Sequence, residues 1–244
     1  MSSSFNLFQT LMRLDGYYDC PKDGQGRRLG PLVGYTARDD QKRQLIGDVY
    51  INFSCLEESP MDLRAAAKTL ADLIRARGIE MDAIAAMPMG ALGLGVMLAE
   101  ELSTSSKPCR YLFAEKDLAA SKEVGGKSES KLIFGRHVPM AGERILILED
   151  VGNNFSTVRD AITLVEAAGA IVVGVACAFN RSPDIENELI VGKQTFPLVE
   201  LARKVFPSYR QDDPAVAADV AAGNVVLSTK KEWGRLKAAM QASL

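Results

Sequence analysis

Residues 144–160 read RILILEDVGNNFSTVRD. The short apolar run Arg144–Leu148 is of the kind found in fully buried parallel strands. It ends in two adjacent carboxylates, Glu149 and Asp150, followed by a polar turn. Val158, Ala161, Ile162 and Val165 then recur at helical spacing until Gly169 closes the run. In an open α/β sheet the ligand crevice lies beyond the carboxyl ends of the strands. Backbone N–H groups at the helix start, with the side chains of Asn153, Asn154, Ser156 and Thr157, suit a phosphate dianion. The two carboxylates before them suit ribose hydroxyls, which donate to such acceptors. The same residues also read as an acidic strand end followed by an ordinary helix cap, and spacing alone does not choose.

Working outward, the alternation continues on both sides. Ser59 and Pro60 suit N-cap and first-turn positions, and Leu63, Ala67, Leu70 and Ile74 mark a helix ended by Gly78. A short strand follows at Ile84–Met87, broken by Pro88, then a helix from about Leu92 to Leu102 and a strand at Arg110–Ala114. Downstream, Ile171–Phe179 is another strand. Such alternation predicts an α/β fold: a central, mostly parallel sheet flanked by helices. The expected layout is one domain over 1–244, with an N-terminal hood at 1–58, the core at 59–182 and a C-terminal extension at 183–244. In the hood, residues 16–48 are rich in Gly, Pro and charge, with short strands near Leu32–Tyr35 and Asp48–Phe53. The extension carries a strand at Asn224–Ser228 and a helix presenting Trp233, Leu236 and Met240. Residues 115–136, EKDLAASKEVGGKSESKLIFGR, lack periodicity and are expected to be a long loop, mobile without ligand.

Composition narrows the function classes. A net charge of -2 over 244 residues gives no whole-molecule attraction to nucleic acid or anionic lipid. Cys20, Cys55, Cys109 and Cys177 form no CxxC pair, and His137 is the sole imidazole, so no zinc cluster is expected. The thiols suit a reducing compartment. MSSSFNLFQT has no charged region leading into an apolar run, and no stretch approaches the roughly 20 apolar residues of a membrane span. The expectation is a cytoplasmic protein with neither membrane nor nucleic-acid partners.

Several segments together carry a family resemblance. ILILEDVGNNFST resembles the ribose-phosphate motif of type I phosphoribosyltransferases, and IEMDAIAAMPMGALGLGVMLAEEL resembles the pyrophosphate-loop segment of their orotate branch. YINFS is similar to that branch's base-binding strand, AFNRSPD to the strand end bearing an arginine for the orotate carboxylate, and YLFAEKDLAASKEVGG to its mobile catalytic loop. The order holds from about Asp48 to Asp184. The resemblance implies that Glu149 and Asp150 hold the ribose hydroxyls and that Asn153, Asn154, Phe155, Ser156 and Thr157 cradle the 5′-phosphate. It implies Met87, Pro88, Met89, Gly90 and Ala91 at the pyrophosphate, Asn52 and Arg181 at the base, and Lys116, with Lys122 as a substitute, reaching the diphosphate. It further implies transfer from 5-phosphoribosyl-1-diphosphate to a nucleobase, here orotate, with Mg²⁺ carried by the substrate and no direct protein ligand, in a homodimer.

The resemblance also has departures. Glu115, Ala119 and Ser121 stand where the family has an arginine, a lysine and a histidine, and Phe155 stands in place of a glycine. Gly152 replaces an aliphatic residue, so the flexible backbone position is expected to have moved there. These departures leave two alternatives open: a phosphoribosyltransferase for another base, and a catalytically silent nucleotide- or phosphosugar-binding regulator.

Overall fold

The computed structural model describes residues 5–124 and 127–242. The chain begins with α1 (Leu7–Arg13), β1 (Tyr17–Asp19), β2 (Leu32–Arg38), β3 (Gln44–Gly47), β4 (Val49–Ile51), α2 (Ser54–Glu57) and α3 (Pro60–Ala76). It continues with β5 (Ala83–Ala86), α4 (Leu92–Leu102), β6 (Arg110–Phe113), β7 (Glu115–Val124), β8 (Lys127–Ile133) and β9 (Arg144–Gly152). Next come α5 (Ser156–Ala167), β10 (Ile171–Asn180), β11 (Glu188–Val191), β12 (Gln194–Arg203), α6 (Ala217–Ala221), β13 (Val225–Val226) and α7 (Trp233–Gln241). The described residues form two compact units, one of residues 5–7, 57–124 and 127–204, the other of 8–56 and 205–242.

The first unit is built on a six-stranded sheet in the order β11-β12-β10-β9-β5-β6. From β12 to β6 the strands pair in parallel, and β11 closes one edge antiparallel to β12. Every residue of β5 is buried, as are Ile145 to Glu149 of β9. This explains the unbroken apolar runs: both sheet faces are covered. Helix α5 buries Val158, Ala161, Ile162 and Val165 in a cluster that also holds Ile145, Ile147, Val175 and Cys177. Helix α3 begins with Pro60 at its first turn and buries Leu63, Ala67, Leu70 and Ile74. Gly78, just beyond its end, takes φ +64°, the left-handed turn-off glycine makes without steric cost. Ser59 holds the N-cap position, but its hydroxyl bonds to the Asp62 carboxylate rather than to a backbone N–H.

Two stretches differ from the sequence expectation. The core, drawn to end at 182, continues as sheet through β11 and β12 to Arg203. Strand β12 changes partners along its length: residues 194–197 pair with β11, and from Leu198 onward it pairs with β10. No single alternation spans both environments, which hid it. Residues 115–133, expected as a loop, form a two-stranded antiparallel ribbon running from Glu115↔Ile133 to Val124↔Lys127. The register shifts between Asp117 and Lys122. A two-stranded ribbon need not bury a regular apolar face, so the period-2 signal was missing. Gly125 and Gly126 lie outside the described residues.

The second unit joins the two ends of the chain. β1 pairs antiparallel with β4, while β13 and β3 flank β2. Tyr18, Cys20, Val33, Tyr35, Val226 and Leu236 form its core, with Trp233 and Met240 packed against them. The C-terminal strand and helix thus complete the hood segment. Among the described residues no helix is long and apolar enough to cross a membrane.

Ile147, fully buried at the centre of the large sheet, offers a direct test of the packing. Ile147→Ala is expected to lower unfolding free energy by about 2–5 kcal/mol, the usual cost of a truncated core aliphatic. Chemical denaturation measures it, and a loss under about 1 kcal/mol would contradict a close-packed centre.

Candidate active site

Glu149 and Asp150 stand near the carboxyl end of β9, where the sheet opens into loops. Glu149 is 9% exposed and lies in register beside Cys177 of β10. The Asp150 N–H donates to Glu149 Oε1 at 3.2 Å, and the Val151 N–H to Asp150 Oδ1 at 2.8 Å. Burial pushes the Glu149 carboxyl well above its usual range, and the neighbouring Asp150 pushes it further. The Asp150 N–H and the positive charge of Lys116 pull the other way. Lys116, exposed on β7, therefore acts electrostatically on Glu149. Lys122 lies farther along the ribbon, opposite Glu129 in backbone register.

The segment Met87–Ala91 links β5 to α4 beside this pair. Met87 and Ala91 are fully buried, and the Met87 N–H donates to Leu148 O at 2.8 Å, extending the ladder past the strand. The Pro88–Met89 peptide is cis, and Met89 is exposed. Gly90 lies directly against Asp150: a Cβ there would fall 1.8 Å from Asp150 Oδ2 and 2.6 Å from Cγ. No side chain fits, so the bare glycine backbone lets the Asp150 carboxylate approach the loop before α4.

A third carboxylate shares the neighbourhood, and the sequence reading missed it. Glu57 Oε1 accepts the N–H of Gly93, in the first turn of α4, at 3.3 Å. Burial raises its pKa and Asp150 adds to the rise, while the Gly93 bond opposes both. No local motif links Glu57 to Gly93, because only tertiary folding joins them.

The turn after β9 keeps its special backbone at residue 155. Phe155 is the N-cap of α5 with φ 54° and ψ 29°, left-handed, and is 2% exposed. A non-glycine residue there costs about 1–2 kcal/mol. The expectation that the flexible position had moved to Gly152 is corrected, since Gly152 has no positive φ. It serves as space instead: a Cβ on Gly152 would lie 2.1 Å from Phe155 Cζ. Asn154 Oδ1 accepts the Ser156 N–H at 3.1 Å. Asn153 and Thr157 are half-buried, Asn154 and Ser156 exposed.

At the end of β10 the Arg181 N–H donates to Gly152 O at 2.8 Å, tying that strand end to the turn. Asn180, fully buried, braces the corner: its Nδ2 donates to Ile185 O at 2.8 Å and Glu200 Oε2 at 2.6 Å. Its Oδ1 accepts the Ser182 N–H at 2.9 Å. The Arg181 residue is half-buried. Asn52 belongs to the other unit, just past β4, where its N–H donates to Gly16 O at 2.8 Å. The first unit thus brings Met87–Ala91, Glu149, Asp150, residues 153–157 and Arg181 to the carboxyl ends of adjacent strands. Among the described residues no three ligating side chains converge as a metal cage.

The chain is similar to known proteins in sequence and in fold. The chain is 32% identical over 154 residues to the orotate phosphoribosyltransferase of Pyrococcus abyssi, covering 62% of this chain and 76% of that protein. The chain belongs to the type I phosphoribosyltransferase family, resembling its orotate branch. The orotate phosphoribosyltransferase of Xylella fastidiosa (strain M12) is 32% identical over 120 residues, 48% of this chain and 50% of that one. No protein-family model matches. Among solved structures, orotate phosphoribosyltransferase from Aeropyrum pernix aligns with TM-score 0.53 at 17% identity, over 89% of this chain and 99% of that one. Leishmania donovani UMP synthase aligns with TM-score 0.51 at 16% identity, over 99% of this chain and 42% of that one. These two alignments speak for the phosphoribosyltransferase fold alone. Family membership makes the chain an enzyme of the glycosyltransferase class.

The raised Glu149 pKa gives a pH prediction for this phosphoribosyltransferase. The folded state holds the Glu149 proton more tightly than the unfolded chain does, so the group favours folding below its usual value of 4.5. That contribution is lost as pH climbs through the raised folded value. Glu149→Gln removes the titration and keeps the shape. Urea denaturation at pH 5 and pH 8 should show wild type losing more stability across the interval than the variant. Equal losses would contradict the buried, charge-opposed placement.

Proposed function

We propose that this enzyme transfers the phosphoribosyl group of 5-phosphoribosyl-1-diphosphate to orotate, forming a nucleoside 5′-monophosphate and pyrophosphate. The observation that carries the reading is the contact of Gly90 with Asp150. It puts an unobstructed backbone loop, suited to a diphosphate, beside carboxylates suited to ribose. A bond forms between an orotate ring nitrogen and the anomeric carbon as the bond to diphosphate oxygen breaks; pyrophosphate leaves with that bonding pair, and the nitrogen's proton passes to it or to water. Positive character develops on the ribose ring, so the Asp150 side chain stabilises the transition state more than the ground state, and Glu149 adds to this once it gives up its proton. The turn at 153–157 holds the 5′-phosphate at the start of α5. Lys116 meets the diphosphate from β7. Mg²⁺ bound to the donor's oxygens supplies charge neutralisation on the leaving group.

Arg181 serves as the acceptor's selector. Its guanidinium can grip a planar carboxylate through two parallel hydrogen bonds, which distinguishes orotate from uracil. A binding-only regulator is the second reading, and Glu115 favours it, since a carboxylate at the foot of the ribbon repels a diphosphate. A pyrophosphate-release assay with donor, Mg²⁺ and a panel of bases separates the two. Release with orotate supports the proposal, release with another base alone moves the acceptor, and none with any base sinks the transferase reading.

Asp150→Asn is expected to cut pyrophosphate release about 100-fold or more while circular dichroism stays unchanged, because shape is kept and charge is lost. Full activity in that variant would remove Asp150 from the ribose. Arg181→Ala should weaken orotate binding about ten- to a hundredfold, the worth of a charge-assisted pair at about 1.5–3 kcal/mol. Donor affinity should change little. Calorimetry with each ligand separately checks this, and unchanged orotate affinity would reject the carboxylate clamp.

A further inference from the structure

We infer that Phe155 and Gly152 form a reciprocal interlock that holds residues 153–157 in an anion-receiving conformation before any ligand arrives. Phe155 is then a positioning residue for the phosphate. The ligand half of this inference rests on the phosphate-site reading above, whereas the interlock itself rests on geometry alone.

Helix α5 starts at Ser156, directly after a left-handed residue. A left-handed residue next to right-handed ones turns successive N–H groups toward one concave side, an arrangement suited to anions. Glycine adopts that conformation without steric cost; phenylalanine does so only where its side chain is compensated. Here the ring enters the cluster containing Val158, Ile147 and Cys177 and is almost wholly removed from water. The space it fills exists because residue 152 has no side chain. A Cβ at 152 would lie 2.1, 2.5 and 2.7 Å from three carbons of the Phe155 ring. Real carbons do not approach so closely, so no side chain fits at 152 while the Phe155 ring holds its place.

The backbone is fixed at both ends of the short span between them. Gly152 O accepts the Arg181 N–H at 2.8 Å, and Phe155 O accepts the Arg159 N–H at 2.9 Å. With both carbonyls engaged and the ring seated, the turn does not depend on a ligand for its shape. Asn154 Oδ1 already accepts the Ser156 N–H. An incoming phosphate oxygen competes with a neutral amide oxygen there, and the charged acceptor makes the stronger bond.

A double-mutant cycle with Phe155→Gly and Gly152→Val tests both halves. Unfolding by urea is followed for wild type, both single variants and the double variant, and ribose 5-phosphate binding is measured by calorimetry well below each melting temperature. In the wild-type background Gly152→Val should be severely destabilising, while in the Phe155→Gly background it should cost little, because the ring is gone. Equal costs in the two backgrounds would overturn the interlock. If Gly152→Val does not fold alone, Gly152→Ala replaces it, since its Cβ meets the same ring carbons. Phe155→Gly should weaken ribose 5-phosphate binding at least tenfold, and the double variant should regain most of it as valine fills the notch. A ring acting as filler alone would lower the melting temperature and leave that affinity untouched, which would overturn the positioning role. Failure of wild type to bind ribose 5-phosphate at millimolar concentration would sink the phosphate-site reading and the positioning role together. The stability cycle would still decide the interlock.

Discussion

Two neighbouring carboxylates at the end of a buried parallel strand are an electrostatic burden, and the site is organised around it. Glu149 is nearly out of water and feels Asp150 beside it, so ionising both is opposed by desolvation and by repulsion. A protein seeking stability alone would place neither group there. What offsets the burden is the Asp150 N–H, the positive charge of Lys116, and the glycine at 90 that leaves room for the Asp150 carboxylate. Glu57 adds a third acid to the same field. Such a site is poised for a cation, and a ribose ring acquiring positive character in a transition state is one.

The turn after β9 shows the same economy through shape. The left-handed residue that opens α5 is retained although its type is unusual for that backbone, and the accommodation appears three positions earlier. Burying the aromatic ring offsets the backbone cost, since a fully buried phenylalanine contributes about 1.5–3 kcal/mol against about 1–2 kcal/mol for the left-handed residue. Preorganising a turn by side-chain packing lets binding proceed without first ordering the chain.

Much of the architecture could be read in the sequence, because buried parallel strands and amphipathic helices leave strong local patterns. Helix α4 begins and ends at the expected Leu92 and Leu102, and β9 and β10 follow their apolar runs. Strand β12 was not legible because it is half hairpin and half parallel strand, and the ribbon β7–β8 because its residues show no sustained apolar alternation in the sequence. Within the candidate site, Glu149 and Asp150 stood out at the end of an apolar strand, and Gly90 through the resemblance of its segment to a pyrophosphate loop. Glu57 did not, since its partner is brought to it only by folding. At Phe155 the sequence showed an exception to a pattern, but whether the left-handed backbone persisted or moved could be decided only by dihedral angles.

The acidity of the site bears on the choice of acceptor. Orotate, the acceptor proposed, is an anion, and it is repelled by the acid cluster of Glu57, Glu149 and Asp150 to the extent that the cluster is ionised. Like charges a few ångströms apart repel by several kcal/mol at the effective dielectric of a partly buried site, so the repulsion is not a detail. On the proposed chemistry two things reverse it. The donor brings Mg²⁺ and, during transfer, a ribose ring with growing positive charge. Arg181, tethered through its backbone N–H to the turn proposed for the phosphate, supplies a cation at the end of β10. A neutral base would need neither. The cation placed there is therefore better matched to an acceptor carrying its own negative charge than to an uncharged purine or pyrimidine.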